Sequence, residues 1–227
     1  MPLSSIRLSA WRNLADDLID LSAPRVFLIG ENGQGKTNLL EAVYYLSYGA
    51  SFRGQVDAEI PRRGESGFGA EGRIVREIGD DRLAERIGVS WKGRVKEIRR
   101  EGKAVRDRKE LVDLNPAIVY CHDDFSFASG EPERRRFFFD QTAGLVSLGY
   151  IDLLREYRKI LLQRNAALKE AREGLLDILD LQLAAKGLDL VAERRLLAKE
   201  FAAPFSSVFE AVAHLGLDVQ LRYLSRS

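Results

Sequence analysis

The sequence of 227 residues predicts an α/β fold with an antiparallel β layer and a helical arm that resembles a short coiled coil. Three observations carry this prediction. A glycine-rich segment at residues 30–37 stands between an apolar run and a stretch of helical periodicity. Residues 69–106 show near period-two alternation interrupted by turn residues, and leucines recur at intervals of seven between about residues 147 and 201.

The glycine-rich segment fits the phosphate-loop pattern G-x-x-x-x-G-K-[ST] at every fixed position. The apolar run at 25–29 predicts a buried strand that leads into it, and apolar residues at helical spacing between Leu39 and Leu46 predict a helix that starts near Lys36. Glycines let backbone N–H groups approach an anion at the positive end of such a helix. The alternative is a glycine turn before an ordinary helix.

The phosphate-loop pattern predicts binding of ATP with Mg²⁺. Lys36 would reach the outer phosphates as a point charge, and the hydroxyl of Thr37 would ligate Mg²⁺. The backbone of the whole segment would hold the triphosphate. The residues expected to bind the nucleotide here are Gly30, Glu31, Asn32, Gly33, Gln34, Gly35, Lys36 and Thr37.

The composition, with 45% hydrophobic and 30% charged residues, is typical of a folded soluble protein. No apolar run approaches the length of a membrane span and the polar N-terminus lacks a secretory signal, so the sequence predicts a cytoplasmic location. The single Cys121 excludes an internal disulfide, and the presence of only His122 and His214 argues against a Cys/His metal site. A net charge of +1 leaves DNA binding open, because that needs only a local basic face.

Strand patterns occur mainly in the first 121 residues, with one more near the end of the chain. The predicted strands span residues 6–11, 18–21, 25–29, 72–78, 86–91, 95–99, 117–121 and 217–223. Turn residues at 79–81 and 101–103 separate three of them. These short spacings predict an antiparallel arrangement for the strands between residues 69 and 106.

The sequence predicts helices in most of the second half of the chain. Pro132 stands near the first turn of a predicted helix. The heptad leucines that follow predict two long helices, interrupted at Gly174 and Gly187 and folded back as a short antiparallel coiled coil, with a plain helical bundle as the alternative. The seam positions are Leu154, Tyr157, Leu161, Arg164, Leu168, Ala171, Leu175, Ile178, Leu183, Leu190 and Leu197. The predicted domains are an ATP-binding lobe with the β layer at 1–145, the helical arm at 146–215 and a returning strand at 216–227.

Several segments besides the phosphate loop carry a family resemblance. They are Trp11-Arg12-Asn13, the helix continuation at 38–46, Ser51-Phe52-Arg53, the block at 130–140 with its three arginines, and Leu162-Gln163-Arg164-Asn165. Together they resemble the bacterial RecF family, whose relatives are the Rad50 and SMC proteins of the ABC-type ATPase group. The resemblance covers essentially the whole chain, with one departure at His122, where the family more often carries proline.

The resemblance implies an ABC/SMC-type ATPase lobe that acts in DNA replication, repair and recombination and in the SOS response. It implies that a homodimer of the full-length protein sandwiches ATP between its subunits, so that nucleotide binding couples to dimerisation on DNA and hydrolysis releases the dimer. The implied partners are single-stranded DNA, gapped or junction duplexes, RecR and RecO, with which the family helps to load the recombinase, and no membrane. The resemblance also implies that Arg12 and Asn13 lie beside the nucleotide phosphates.

Two family motifs are not found in the sequence. Members are longer and carry a signature motif and a Walker B strand with a catalytic carboxylate, and neither appears after Tyr223. The catalytic residues are therefore unknown, and we expect this chain not to hydrolyse ATP alone. One alternative is a self-contained small P-loop kinase that uses Asp123 or Asp124, after the strand at 117–121, as its metal-side carboxylate. Another is a truncated ATP-binding module without turnover.

Basic residues outnumber acidic ones between Lys92 and Lys109. Alternate members of a strand share one face, so Lys96 and Arg100 are candidate contacts to DNA phosphates. Arg135, in the arginine block, is a third candidate because guanidinium groups suit phosphate geometry. A solvated strand face, and pairing of the arginine block with nearby acidic residues, are the alternatives.

Overall fold

The computed structural model describes residues 3–54, 56–79, 81–120, 132–217 and 219–224. The chain divides into two compact units, Met1–Cys121 and His122–Ser227. The first unit contains a β-sheet and the helix that follows the phosphate loop, whereas the described elements of the second unit are all helices.

The first unit is built on a six-stranded antiparallel sheet. Its strands are β1 (Leu3–Ser9), β2 (Leu18–Asp20), β3 (Gly67–Ile78), β4 (Asp81–Lys92), β5 (Val95–Arg100) and β6 (Lys103–Ala104). The spatial order is β2-β1-β3-β4-β5-β6, so that β1 lies between β2 and β3. Gly79 and Gly102, both at positive φ, lie in the turns that follow β3 and β5. The predicted antiparallel layer is confirmed.

One face of the sheet carries the core, and the helix α1 (Lys36–Tyr48) packs against it. Side-chain alternation along the strands directs their apolar residues to this face. The fully or nearly fully buried side chains include Leu3, Ile6, Leu8, Ile74 and Ile87 from the sheet and Leu39, Ala42, Tyr45 and Leu46 from α1. At the centre, the Trp11 ring meets Phe68 and Tyr45 edge to face, with centroids 4.9 and 5.4 Å apart. The short helices Asp57–Glu59, which is 3₁₀, and α2 (Lys109–Leu114) complete this unit.

Three predicted strands are not formed, and these predictions were wrong for the described residues. The segments 25–29, 117–120 and 217 with 219–223 belong to no strand. Phe27, Ile29 and Ile118 are 79%, 93% and 82% exposed. An apolar run becomes a buried strand only when neighbouring strands supply hydrogen bonds and cover its side chains, and that condition depends on distant residues rather than on the run itself.

The second unit consists of three helices, α3 (Pro132–Val146), α4 (Leu148–Lys169) and α5 (Glu173–Ala213). Helices α4 and α5 run antiparallel, since Lys186 pairs with Glu156 and Arg164 with Asp180. The predicted pair of long helices is therefore confirmed. The predicted interruption at Gly187 is wrong, because that residue lies within a helix of 41 residues.

The chain reverses at residues 170–172, just before the predicted break at Gly174. The leucine seam is best covered away from this reversal: Leu190 and Leu197 are buried, whereas Leu168 and Leu175 are 48% and 47% exposed. Heptad spacing thus marks the side of the helix correctly, but residues near the hairpin tip have too few neighbours to be buried.

Helix α3 packs against the two long helices of its own unit. Its Ala143 belongs to the same buried cluster as Tyr150, Leu190 and Leu197. The compact units accordingly divide after Cys121, ahead of the boundary at 145 that the sequence suggests; the functional division into lobe, arm and returning strand stays a prediction. Across the described part of the chain, no helix combines the length and the apolarity that crossing a bilayer requires.

Candidate nucleotide-binding site

The phosphate loop leads directly into α1 and adopts a backbone that its glycines allow. Gly33 and Gly35 have φ angles of 84° and 95°, in the left-handed region that disfavours other residues. At Gly35, a Cβ atom would lie 2.5 Å from Leu14 Cδ2 and 2.9 Å from Asn13 Oδ1. Both the backbone angle and the available space therefore require glycine immediately before the first residue of α1.

Side chains of the loop stabilise its shape. Gln34 Oε1 accepts a hydrogen bond of 3.1 Å from the backbone N–H of Glu31. Lys36 Nζ donates to the carbonyl oxygens of Gly30 and Glu31 at 2.9 and 2.7 Å. The ammonium group is thus held at an exposed loop, where the oxygens of a bound anion could replace the two carbonyls.

The start of α1 has the chemistry that a phosphate group requires. The first N–H groups of a helix lack carbonyl partners within the helix, and the helix dipole places partial positive charge there. Thr37 is exposed, and its hydroxyl has no hydrogen-bond partner among the residues that the structure describes. The loop backbone, the Lys36 ammonium and the Thr37 hydroxyl together fit a phosphate chain with a bound cation.

A chain of amide hydrogen bonds connects the loop with the segment that follows α1. Asn13 Nδ2 donates to the carbonyl oxygen of Gly33 at 2.8 Å, and Asn38 Nδ2 donates to Asn13 Oδ1 at 2.7 Å. Arg53 Nη1 then donates to Asn38 Oδ1 at 3.0 Å. The Trp11 indole N–H holds the Asn38 carbonyl at 3.1 Å. Asn13, which is not part of the loop, therefore stabilises the loop backbone at Gly33.

Glu41, on α1, is the centre of the charged network beside this chain. Its side chain is fully buried and accepts hydrogen bonds from Arg12 Nε and Nη2 at 2.6 and 2.8 Å and from Ser51 Oγ at 2.5 Å. Arg53 Nη1 lies 3.7 Å from the same carboxylate. Burial favours the neutral form, but the hydrogen bonds from Arg12 and Ser51 outweigh it, so the pKa of Glu41 lies below its ordinary value.

The two residues expected beside the phosphates take different positions. Asn13 contacts the loop at Gly33. Arg12 directs Nε and Nη2 to Glu41 and Nη1 to the carbonyl oxygen of Glu59, at 3.1 Å, so these contacts hold it as part of the network behind the loop. A direct contact of Arg12 with phosphate stays a prediction.

The candidate DNA contacts also have partners within the protein. Lys96 Nζ pairs with Asp57 at 2.6 Å and donates to the carbonyl oxygen of Gly49 at 2.8 Å. Arg100 pairs with Glu85. Arg135 lies on α3, is half-buried and also has an interaction within the chain. Their role in DNA binding stays a prediction.

The carboxylates of the alternative reading, Asp123 and Asp124, lie outside the described residues, so the kinase hypothesis also stays a prediction. No motif or spacing in the sequence singles out Asn38, Glu41 or Arg53. The only sequence signal for them is that all three fall in segments that resemble the RecF family. Helical spacing by itself gives no reason to bury a glutamate, because the two arginines that neutralise it come from distant segments.

Comparisons with known proteins identify relatives of this chain. No protein-family model matches the chain. It is 37% identical over 217 residues to the DNA replication and repair protein RecF of Treponema pallidum. This aligned region covers 94% of this chain and 59% of that protein. It is 32% identical to RecF of Symbiobacterium thermophilum, over 100% of this chain and 60% of that protein. The chain thus spans about 60% of the length of these curated relatives.

Solved structures show the same relationship. A structure of the recombination mediator protein RecF-ATP in the RecFOR pathway superposes with a TM-score of 0.81 at 26% identity, over 93% of this chain and 58% of that one. A RecF-ATPrS structure gives a TM-score of 0.80 at the same identity. The likeness confirms the predicted class, an α/β phosphate-loop ATPase fold of the ABC type. Over the part of those proteins that it spans, the chain is similar to RecF proteins in both sequence and fold.

Proposed function

We propose that this chain binds ATP with Mg²⁺ at residues 30–37 and serves a RecF-type protein of DNA replication, repair and recombination. The observation that carries the proposal is the loop itself. Two glycines at positive φ, the Lys36 ammonium and the start of α1 converge on one exposed loop. An array of N–H groups at a helix start, with a lysine beside it, suits a polyphosphate.

Each residue has a defined role in this proposal. The Lys36 ammonium exchanges the carbonyl oxygens of Gly30 and Glu31 for oxygens of the outer phosphates, which are stronger acceptors. The Thr37 hydroxyl ligates Mg²⁺, which neutralises phosphate charge when bound. Asn13 keeps the Gly33 peptide in place, so that the N–H groups of the loop point at the ligand.

The wider role follows from the relatives. Those proteins are named for DNA replication and repair, and two solved ones are described as RecF with ATP or ATPrS in the RecFOR pathway. We propose that a protein carrying this chain acts in the cytoplasm, dimerises with ATP, recognises single-stranded and gapped DNA, and works with RecR and RecO in recombinase loading.

The direct test is the Lys36→Ala variant, measured by calorimetric titration with ATP and Mg²⁺. Loss of the ammonium removes the only side-chain cation of the loop segment 30–37, so we expect at least a tenfold loss of affinity. The control is Lys159→Ala, a change at an exposed lysine on α4 that should leave ATP affinity unchanged. Equal ATP affinity in wild type and Lys36→Ala, with the fold verified by circular dichroism, would disprove the site.

A further inference from the structure

The long helix α5 carries apolar residues on two opposite sides, and α4 packs against one of them. On the packed side, Leu190 and Leu197 are buried in the cluster that includes Tyr150 of α4. A Cβ atom at Gly187 would lie 3.6 Å from Cε2 of Tyr157, so this glycine also faces α4. These contacts identify the side of α5 that belongs to the helical hairpin.

A second apolar stripe follows the other side of α5. Its members recur at spacings of 3, 4, 3 and 4 residues, which are the a and d positions of a heptad pattern. Ile178, Leu181 and Leu188 are 56%, 74% and 71% exposed, and the two alanines of the stripe are exposed as well. We define the outer stripe as Ile178, Leu181, Ala185, Leu188 and Ala192.

Helix geometry places the outer stripe on the side of α5 that α4 cannot reach. At about 100° per residue, the centre of the stripe lies about 170° around the helix axis from the midpoint between Gly187 and Leu190. Single exposed leucines are common on protein surfaces and need no explanation. A stripe in heptad register is a different observation, because it is the pattern of a coiled-coil seam. The outer stripe therefore has the pattern of a second seam, whose partner is not α4.

The sizes of the side chains in the outer stripe alternate along the helix. Alanine occupies the a positions 185 and 192, and leucine occupies the d positions 181 and 188. In an antiparallel pair of helices, each a position faces a d position of the other helix. With the two-fold axis between residues 186 and 187, Leu181 faces Ala192 and Ala185 faces Leu188 of a second copy. Each central layer then combines a large and a small side chain, which lets the layers interdigitate. The stripe is thus complementary to itself.

Charged residues at the ends of the stripe are complementary in the same register. Ile178 faces Arg195 of the second copy, whose methylene groups can cover it. Arg195 is exposed and also has an interaction within its own chain. Asp177 precedes Ile178 and comes close to the guanidinium group of the second copy, and symmetry repeats this contact at the other end. Asp189 faces Gln182, so these flanking positions bring no like charges together.

We propose that the outer stripe is a self-association surface, on which a second copy of this chain binds by antiparallel pairing of α5 over residues 178–195. The inference goes beyond the proposed function and does not depend on the nucleotide site. The paired segment is about 27 Å long, since an α-helix rises about 1.5 Å per residue. Such a contact buries about 1,000 Å² or less in total, at the low end of specific interfaces, so the dimer is weak and reversible.

The first test is sedimentation velocity of the 227-residue chain without nucleotide, between about 5 and about 200 µM, the range in which a weak interface dissociates. We expect a monomer at the lower end and a dimer at the upper end. Leu181→Glu with Leu188→Glu changes two exposed positions, so helix content measured by circular dichroism should be unchanged. The variant buries carboxylates at the centre of the dimer and should weaken self-association about tenfold or more.

The matched control is Leu162→Glu with Val212→Glu. These residues are 70% and 77% exposed and lie outside the outer stripe, on α4 and near the end of α5. The control adds the same charge to the chain and should retain self-association. Equal weakening in the control would overturn the proposal, because net charge and not the stripe would then govern association.

The second test determines the orientation of the two helices by disulfide formation. Leu181→Cys and Ala192→Cys are each made in a Cys121→Ser background, which removes the native thiol. The antiparallel register places residue 181 opposite residue 192 and separates identical positions by about 16 Å, too far for a disulfide. We expect a disulfide dimer when the two variants are mixed and none from either variant alone. A disulfide dimer of Ala192→Cys by itself would show parallel pairing and overturn the proposal.

The Lys36→Ala variant distinguishes this inference from the proposed function. Dimerisation that needs ATP should be lost in this variant, whereas pairing through the outer stripe should persist, since it requires no nucleotide. Loss of the nucleotide-free dimer in Lys36→Ala would exclude the outer stripe. A wild type that stays monomeric over the whole concentration range would also overturn the inference, and ATP affinity, measured separately, would still decide the phosphate loop.

Discussion

Each compact unit contains an arginine–carboxylate network beside apolar side chains, and the two networks have very different surroundings. In the first unit, the fully buried Glu41 binds Arg12 beside the large apolar core between the sheet and α1. In the second unit, Asp140 of α3 binds Arg194 of α5 beside a small cluster. Its buried members among the described residues are Ala143, Tyr150, Leu190 and Leu197.

The network of the second unit joins its three helices at one carboxylate. Arg194 Nε and Nη2 donate to Asp140 Oδ1 at 3.0 and 2.7 Å, and the Tyr150 hydroxyl of α4 donates to the same oxygen. The side chains of Arg194 and Asp140 are only 13% and 9% exposed. Burial, and then the hydrogen bond to Asp140, raise the pKa of Tyr150 above its ordinary value, so the hydroxyl remains a donor at any physiological pH.

Arginine–carboxylate pairing therefore has a different use in each unit. In the first unit a large core stabilises the fold, and the network connects through Arg53 and Asn38 to the phosphate loop. In the second unit the apolar cluster is small, so the polar contact forms a larger part of what holds the helices together. Apolar substitutions should therefore have their largest effect in the first unit and loss of a charge its largest effect in the second.

The largest effect is expected for Trp11→Ala. Trp11 is fully buried between Tyr45 and Phe68, and truncating such a residue removes about 3–5 kcal/mol from the free energy of unfolding. Both tryptophans of the sequence lie in the first unit, so the fluorescence of Trp91 in this variant reports on that unit alone. Far-UV circular dichroism in a urea titration follows mainly α4 and α5, the two longest helices, both of the second unit.

The control for this variant is Trp11→Phe. Phenylalanine keeps most of the apolar volume but removes the hydrogen bond from the indole N–H to the carbonyl oxygen of Asn38, so the loss should be about 1–2 kcal/mol. We expect the fluorescence transition to shift more than the circular dichroism transition, and an equal shift of both would contradict the assignment of the lost stability to the first unit.

An intermediate effect is expected for Asp140→Asn. The change keeps the shape but leaves the largely buried Arg194 without its counter-charge, which should cost about 2–4 kcal/mol in the helical transition and little in tryptophan fluorescence. Adding Arg194→Met removes the uncompensated charge and should restore part of the loss. If the single and double variants were equally unstable, the penalty would come from lost packing and not from the unpaired guanidinium.

Sequence patterns correctly predict the elements whose conformation is set by residues close to them in the sequence. The phosphate loop, the helix from Lys36, the turns at Gly79 and Gly102 and the two long helices all follow from local spacing or local backbone angles. The heptad spacing continues to Ala171 at the hairpin tip, although this residue is exposed.

What the patterns could not locate depends on distant partners. The run at 25–29 reads as a buried strand because it is apolar, but burial requires neighbouring strands, and Ile29 is 93% exposed. From the sequence, Glu41 is expected to be a solvent-exposed helix residue, because its partner Arg12 lies 29 positions away. Lys96 reads as a surface cation, and only the folded sheet brings it to Asp57 and Gly49.

The smallest effect concerns the pH dependence that Glu41 gives to stability. Its pKa is lowered in the folded protein, so the ionised form contributes stability above the pKa of the unfolded chain, about 4.3, and this contribution is lost as the pH falls through the lower folded value. We compare the free energy of unfolding of wild type and Glu41→Gln by urea titration, followed by tryptophan fluorescence, between neutral and acidic pH. The other carboxylates are common to both proteins and cancel in the difference. That difference should favour wild type at neutral pH and shrink below about pH 4.3, whereas a difference independent of pH would show that Glu41 acts through packing and hydrogen-bond geometry without its charge.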